Sequence, residues 1–260
     1  MPPFISPVFF SLLLLFGMFV MLEIGRWYGR RRRLTHPDEE ANIGTIEGSI
    51  FAVFGLILAF TFSGAATRFN DRQKLIAEEA TTIGTAFLRV DLLTQDARPA
   101  MKELFRRYAD SRLETYRRLP DIRAAEEELA RTKKIQDQIW ALAVADSTRP
   151  GVHPDAGKLL LPALNFMFDI RTTRTMAMRI HPPTIIYILL FVLGLICSVL
   201  AGYEMADSQK RHWVHILAFV LITIVTVYVV IDIEYPRGGL IRISEFDQVL
   251  VQERQAMDEH

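Results

Sequence analysis

The stretch IEGSIFAVFGLILAFTFSGAATRFNDRQKLIAEEATTIGTAFLRV, residues 46–90, decides the fold of this chain. Residues 46–66 carry one charge, Glu47, and supply the ~20 apolar residues that a helix needs to cross a bilayer core. Beyond them Ile76, Ala80, Ile83, Phe87 and Val90 recur at alternating steps of four and three, a single apolar stripe along a helix. The pattern therefore predicts a membrane span that continues directly into an amphipathic helix outside the bilayer.

The rest of the chain divides in the same way. Its 30 basic and 30 acidic residues cancel, which removes any signal for a nucleic-acid partner. They are nearly absent from three further apolar runs, residues 4–27, 183–203 and 213–233, so span two has three companions. Trp27, Tyr28, Tyr203, Trp213 and Tyr235 lie at the ends of these runs, where aromatic rings favour the headgroup layer. The first run has no positive charge ahead of it and no small-residue cleavage site, which predicts a retained span and not a signal peptide. The single cysteine, Cys197, falls inside span three, so neither an intramolecular disulfide nor a cysteine metal cluster is expected. Arg30, Arg31, Arg32 and Arg33 follow span one, with Arg26 beside them at its end, and Lys210 and Arg211 separate spans three and four. The positive-inside rule then places the N-terminus and the segment between spans two and three outside a bacterial inner (plasma) membrane.

The expected fold class is all-α: four transmembrane helices with an inserted helical soluble domain between the second and third spans. Residues 1–67 hold spans one and two with a basic inner loop, 68–181 the soluble domain, 182–235 spans three and four, and 236–260 an amphipathic tail. Within the insert, Met101, Leu104, Phe105 and Tyr108 begin one helical stripe. Ile122, Ala125, Leu129, Thr132, Ile139 and Leu142 form another, with Asp121 as its N-cap. Residues 147–157 are a loop, and a last helix leads back to Pro182 and Pro183. Glu126, Glu127 and Glu128, followed by Arg131, Lys133 and Lys134, predict a solvated, salt-bridged face.

Span two carries the most informative pattern. Gly48, Ala52, Gly55, Ala59 and Ser63 line one face with small residues, which lets helices approach closely in lipid. Two readings stay open. The face packs against another helix, within or between subunits, or the span lines an oligomeric pore whose hydrophobic constriction comes from Phe51, Phe54 and Phe62. Asp232 and Glu234 end span four just before Arg237, at the depth expected of Arg68, and predict an interfacial charge cluster. An ion-coordinating site is the alternative there. Glu47 sits where a helix dipole favours an anion. His212 and His215 share a helix face without an acidic or cysteine partner and are expected to be interfacial polar residues, not metal ligands. No phosphate loop, serine elbow or zinc-peptidase motif is present, so no catalytic activity, cofactor or metal is expected.

The segments EGSIFAVFGLILAFTFSGAATRF from Glu47, EEATTIGTAFLRVDLL from Glu78, LFRRY from Leu104, TTRTMAMRIHPP from Thr172 and DIEYPRGGLIRISEFDQ from Asp232 together resemble the bacterial bestrophin-like domain family of multi-pass membrane proteins. That kinship implies a relation to bestrophins, which are pentameric anion-selective channels with a hydrophobic neck in the second span. It implies a homo-oligomer in a lipid bilayer and an anion, or another ion, as the passing species. Arg68 and Arg72 would then stand at the outer mouth of span two. It also implies a cytoplasmic helical region, opposite to the charge rule. No bestrophin site residue is carried over. The second function in view is a membrane-anchored helical sensor or scaffold that binds a partner through its soluble helices.

Overall fold

The computed structural model describes residues 6–35, 44–119, 121–206, 212–236, 239–243 and 246–259, the side chain of Ile122 excepted. Among them every regular element is helical. These are α1 (Pro7–Thr35), α2 (Gly44–Leu88) with a 3-10 turn at Arg89–Leu92, α3 (Arg98–Arg118), α4 (Ile122–Ser147), α5 (Ala156–Ala177), α6 (Thr184–Glu204), α7 (Trp213–Glu234) and α8 (Gln248–Glu259). The helices α1, α2, α6 and α7 are long and apolar enough to cross a membrane. Two compact units form, one from Met1–Thr67 with His181–Tyr235, the other from Arg68–Ile180 with Pro236–His260. The 45 residues of α2 run through both as one uninterrupted helix.

In the first unit α1 packs against α6 and α7 through Leu14, Met18, Leu22, Tyr187, Val220 and Val227. The approach of α1 to α6 depends on glycine. A methyl group at Gly25 would collide with the Val199 carbonyl, and one at Gly202 with the Leu22 carbonyl. Close backbone contact of this kind holds helices together in lipid, where apolar burial gives no driving force. The first half of α2 takes little part: 11% of its most apolar stretch is buried, against 33% for α6 and for α7.

The second unit has a conventional core. The stripe Ile76, Ala80, Ile83 and Phe87 of α2, continued by Val90 of the 3-10 turn, is buried throughout, in one cluster with Met101, Phe105 and Tyr108 of α3. Ile135 and Ile139 of α4, Leu164 and Met167 of α5, and Leu250 and Met257 of α8 complete it. Asp121 caps α4, its side chain accepting a hydrogen bond from the Ala124 N–H at 3.2 Å.

Two expectations for α4 need correction. Its inward face is rotated from the predicted stripe: Leu129 and Leu142 are only half-buried, while Glu128, Gln136 and Ala143 point inward. Glu128 therefore does not belong to a solvated face. It accepts a hydrogen bond from the Ser111 hydroxyl of α3 at 2.7 Å, and Ser111 and Thr132 lie 2.7 Å apart beside it. Polar groups of α4 find partners across the α3–α4 seam, as buried polar atoms require. Glu126, Glu127, Arg131, Lys133 and Lys134 stay exposed, with Lys133 paired to Asp137 at 2.6 Å.

Candidate functional site

The small-residue face of α2 has no partner among the described residues. Gly48, Ala52, Gly55, Ala59 and Ser63 are all exposed, and a side chain added at Gly48 or Gly55 would meet nothing within 4 Å. The three phenylalanines separate. Phe54 is buried at 5% exposure, packed with Leu190 and Cys197 of α6. Phe51 is half-buried, edge-on to Phe219 of α7 with ring centroids 5.8 Å apart. Phe62 is 41% exposed and, at 100° per residue, lies along one edge of the small face. Glu47, in the first turn, is buried beside Glu204 of α6.

At the far end of the first unit Asp232 and Glu234 of α7 are both buried. Glu234 bonds the His181 ring at 3.1 Å, and that ring stacks on Tyr235 at 4.6 Å. Arg68 opens the second unit's part of α2, and Arg237 lies outside the described residues. Arg72, expected at an outer mouth, is instead buried and donates to the carbonyl oxygens of Ala177, at 3.2 Å, and Ile180, at 2.9 Å. A backbone turn that ends α5 claims its guanidinium.

The second unit contains an ion network not predicted from the sequence. Glu79 of α2 is fully buried. Its Oε1 accepts from Arg112 Nε of α3 at 2.5 Å. Its Oε2 accepts from Arg174 Nη1 of α5 at 2.5 Å and from the Tyr116 hydroxyl at 2.8 Å. Arg174 continues to Asp247, just ahead of α8, with Nη2 2.6 Å from Oδ1. Arg112 Nη2 also donates to the Tyr116 hydroxyl, and the Arg174 guanidinium lies 3.5 Å over the Tyr116 ring. Burial alone would raise the Glu79 carboxyl, but the charges and hydrogen bonds of Arg112 and Arg174 outweigh it and bring it down to about 2. Burial pushes the Tyr116 hydroxyl up. Glu79, Tyr116 and both arginines therefore keep one charge state through neutral pH, which suits a fixed clasp and not a proton-exchanging centre.

The geometry is a bundle of membrane-length helices, with one helix left open on its small face, and a charged helical unit threaded by that same helix. A Bestrophin-like domain profile matches residues 6–246 of the sequence. The chain belongs to the Bestrophin-like family. A crystal structure of a bacterial bestrophin homologue from Klebsiella pneumoniae, carrying an isoleucine-to-threonine mutation, has the same fold, with a TM-score of 0.70 over 97% of this chain and 99% of that one at 15% sequence identity. No curated protein matches the sequence. Three of the segments that carry the Bestrophin-like resemblance meet in the buried network: they supply Glu79, Arg174 and Asp247. One signal for it was available. Met101, Phe105, Tyr108, Arg112 and Tyr116 fall on one helical stripe, so Arg112 occupies a core position of α3.

Proposed function

We propose that this chain assembles into an oligomeric anion channel of the bacterial inner membrane, with α2 of each protomer turned towards the shared axis. The observation that carries the reading is the unpartnered face of α2. The chain uses glycine against backbone where α1 meets α6, yet leaves Gly48, Ala52, Gly55, Ala59 and Ser63 open. A small face in lipid suits the close approach of a second helix, and a closed ring of identical subunits supplies one to every protomer. The bestrophin homologue with the same fold supports the channel assignment.

In this assembly Phe51 and Phe54 anchor α2 to its own bundle, and Phe62 is the phenylalanine left to narrow the pore. Arg26 and Arg30 to Arg33 orient the inner side, with the helical segment 68–180 forming a soluble domain on the outer side. Asp232, Glu234 and Arg237 make up the polar end of span four, with Arg68 at the corresponding end of span two. The chain carries ions and no chemistry of its own.

A second reading rests on the continuity of α2 from Gly44 to Leu88. With Glu79 clasped in the second unit, a tilt of the span would reach the soluble helices in a sensor or scaffold that binds a partner there. Mass determination in mild detergent, followed by halide flux from liposomes, separates the two. A ring-sized oligomer whose flux changes in Phe62→Ala supports the channel. A monomer or loose dimer without flux overturns it and leaves the scaffold.

A further inference from the structure

The second unit has a cavity of about 320 Å3 lined by the end of α3 and the start of α8. Leu113, Tyr116 and Arg117 share one face of α3 at steps of three and four, and Val251 stands in the first turn of α8. Leu119, just past α3, and Arg242, from the tail, also line it. The volume falls at the low end of the ~300–1,000 Å3 range of small-molecule sites.

The wall has an apolar and a cationic part. Leu113 is buried, and Leu119 and Val251 are half-buried. Arg117 and Arg242 are exposed, and neither forms an ion pair among the described residues. Arg242 Nε donates to the Gly239 carbonyl at 3.2 Å, which steadies the guanidinium while its Nη groups have no partner among the described residues. The acidic side chain in the wall, Asp247, is held by Arg174 at 2.6 Å. With Glu79, Arg112 and Arg174 it makes a set whose four charges cancel. Arg117 and Arg242 are therefore the unbalanced charges of the wall. A single surface arginine is simply solvated. Two of them on one part-apolar hollow match an anion that has an apolar body, which water replaces poorly against leucine and valine. A guanidinium fork fits a carboxylate with paired N–H donors. Asp247 in the same wall disfavours a second negative charge, so a carboxylate monoanion suits the site better than a phosphate dianion.

We infer that this cavity binds a small organic acid as its carboxylate, with Arg117 and Arg242 on the carboxylate and Leu113, Leu119 and Val251 against the apolar body. The site lies inside the second unit and stands whether or not the chain conducts. Tyr116 and Asp247 belong both to its wall and to the Glu79 clasp, so an occupied site braces the clasp. The test offers labelled benzoate and hexanoate to the full chain in detergent by equilibrium dialysis at constant ionic strength. At least one acid should bind saturably, once per chain, and raise the Tm. Arg117→Gln and Arg242→Gln should each weaken that binding by about tenfold or more, the loss expected with a charged hydrogen-bond donor. Arg123→Gln, on an exposed position of α4 outside the cavity, should bind as the native chain does. Benzamide lacks the charge and acetate the apolar body, so both should compete far more weakly than the acids. No saturable binding of either acid below about 10 mM, benzamide or acetate competing as well as the acids, or native affinity in both cavity variants would each overturn the assignment. If the cavity variants do not fold, the competition by benzamide and acetate on the native chain decides.

Discussion

Replacing Glu79 with glutamine preserves volume and removes one charge from a position that no solvent reaches. In the native chain three side chains donate to that carboxylate, two of them guanidinium groups. Held at about 2 instead of its ordinary 4.5, the carboxylate stabilises the folded second unit by about 3 kcal/mol at neutral pH. That figure agrees with the ~3–5 kcal/mol typical of breaking a buried ion pair by removing one partner. The sign follows from a depressed folded value: the contribution is complete above pH 4.5 and disappears as pH falls towards 2. Trp140 of α4 packs edge-on to Phe168 at 6.4 Å and can report on this unit once Trp27 and Trp213 are phenylalanine. Denaturant titration of Trp140 fluorescence should show Glu79→Gln less stable by about 3 kcal/mol at pH 7. The variant should also show a shallower loss of stability than the native chain between pH 4.5 and pH 2. A difference below about 1 kcal/mol at neutral pH, or the same acid profile in both proteins, would refute the clasp.

The phenylalanines of α2 should part company. Phe54→Ala opens a cavity of roughly 100 Å3 and should destabilise the first unit by about 2 kcal/mol, whereas Phe62→Ala should leave stability nearly unchanged and alter halide flux. Thermal unfolding and liposome flux on the same preparations check both, and equal loss of stability in the two variants contradicts the division. In a Cys197→Ser background, Ala59→Cys should form an oxidative dimer in membranes and Phe60→Cys should not, because only the first lies on the small face; gels run without reductant would show the reverse if the lipid and subunit faces have been exchanged. Lys134→Cys in the same background should react with an impermeant maleimide on intact cells, as the arginines after span one require; reaction only after permeabilisation would place the helical segment in the cytoplasm.

The helical architecture was legible because its signals are local. The change from an unbroken apolar run to a four-and-three stripe marked α2 as one helix, and every residue of that stripe is buried. The cap at Asp121 and the breaks around α5 were equally local. The buried clasp was not legible, because it joins residues distant in sequence. Glu79 meets Arg112 across 33 positions and Arg174 across 95. In the linear sequence Glu78 and Glu79 form an acidic pair of the kind usually solvated, and only the arginine on the α3 stripe hinted otherwise. Phe51, Phe54 and Phe62 were indistinguishable for a related reason. Which of them is covered depends on where α6 and α7 lie around the helix, and no pattern within α2 encodes that.

The two faces of α2 that remain open differ in what can cover them. Val53, Leu56 and Phe60 project bulky apolar side chains, and acyl chains adapt to such a surface without loss. On the small face the backbone is nearly bare at Gly48 and Gly55, with the Ser63 hydroxyl on the same side. Acyl chains gain nothing from a flat helix, because close packing there benefits only a partner with a backbone and side chains of fixed shape. The same chemistry is already satisfied inside the protomer, where Gly25 and Gly202 bring α1 and α6 into backbone contact. The small face of α2 repeats this arrangement and has no partner among the described residues, and the proposed ring would cover it. In that proposed ring a second copy of α2 would be the surface that symmetry provides to every protomer.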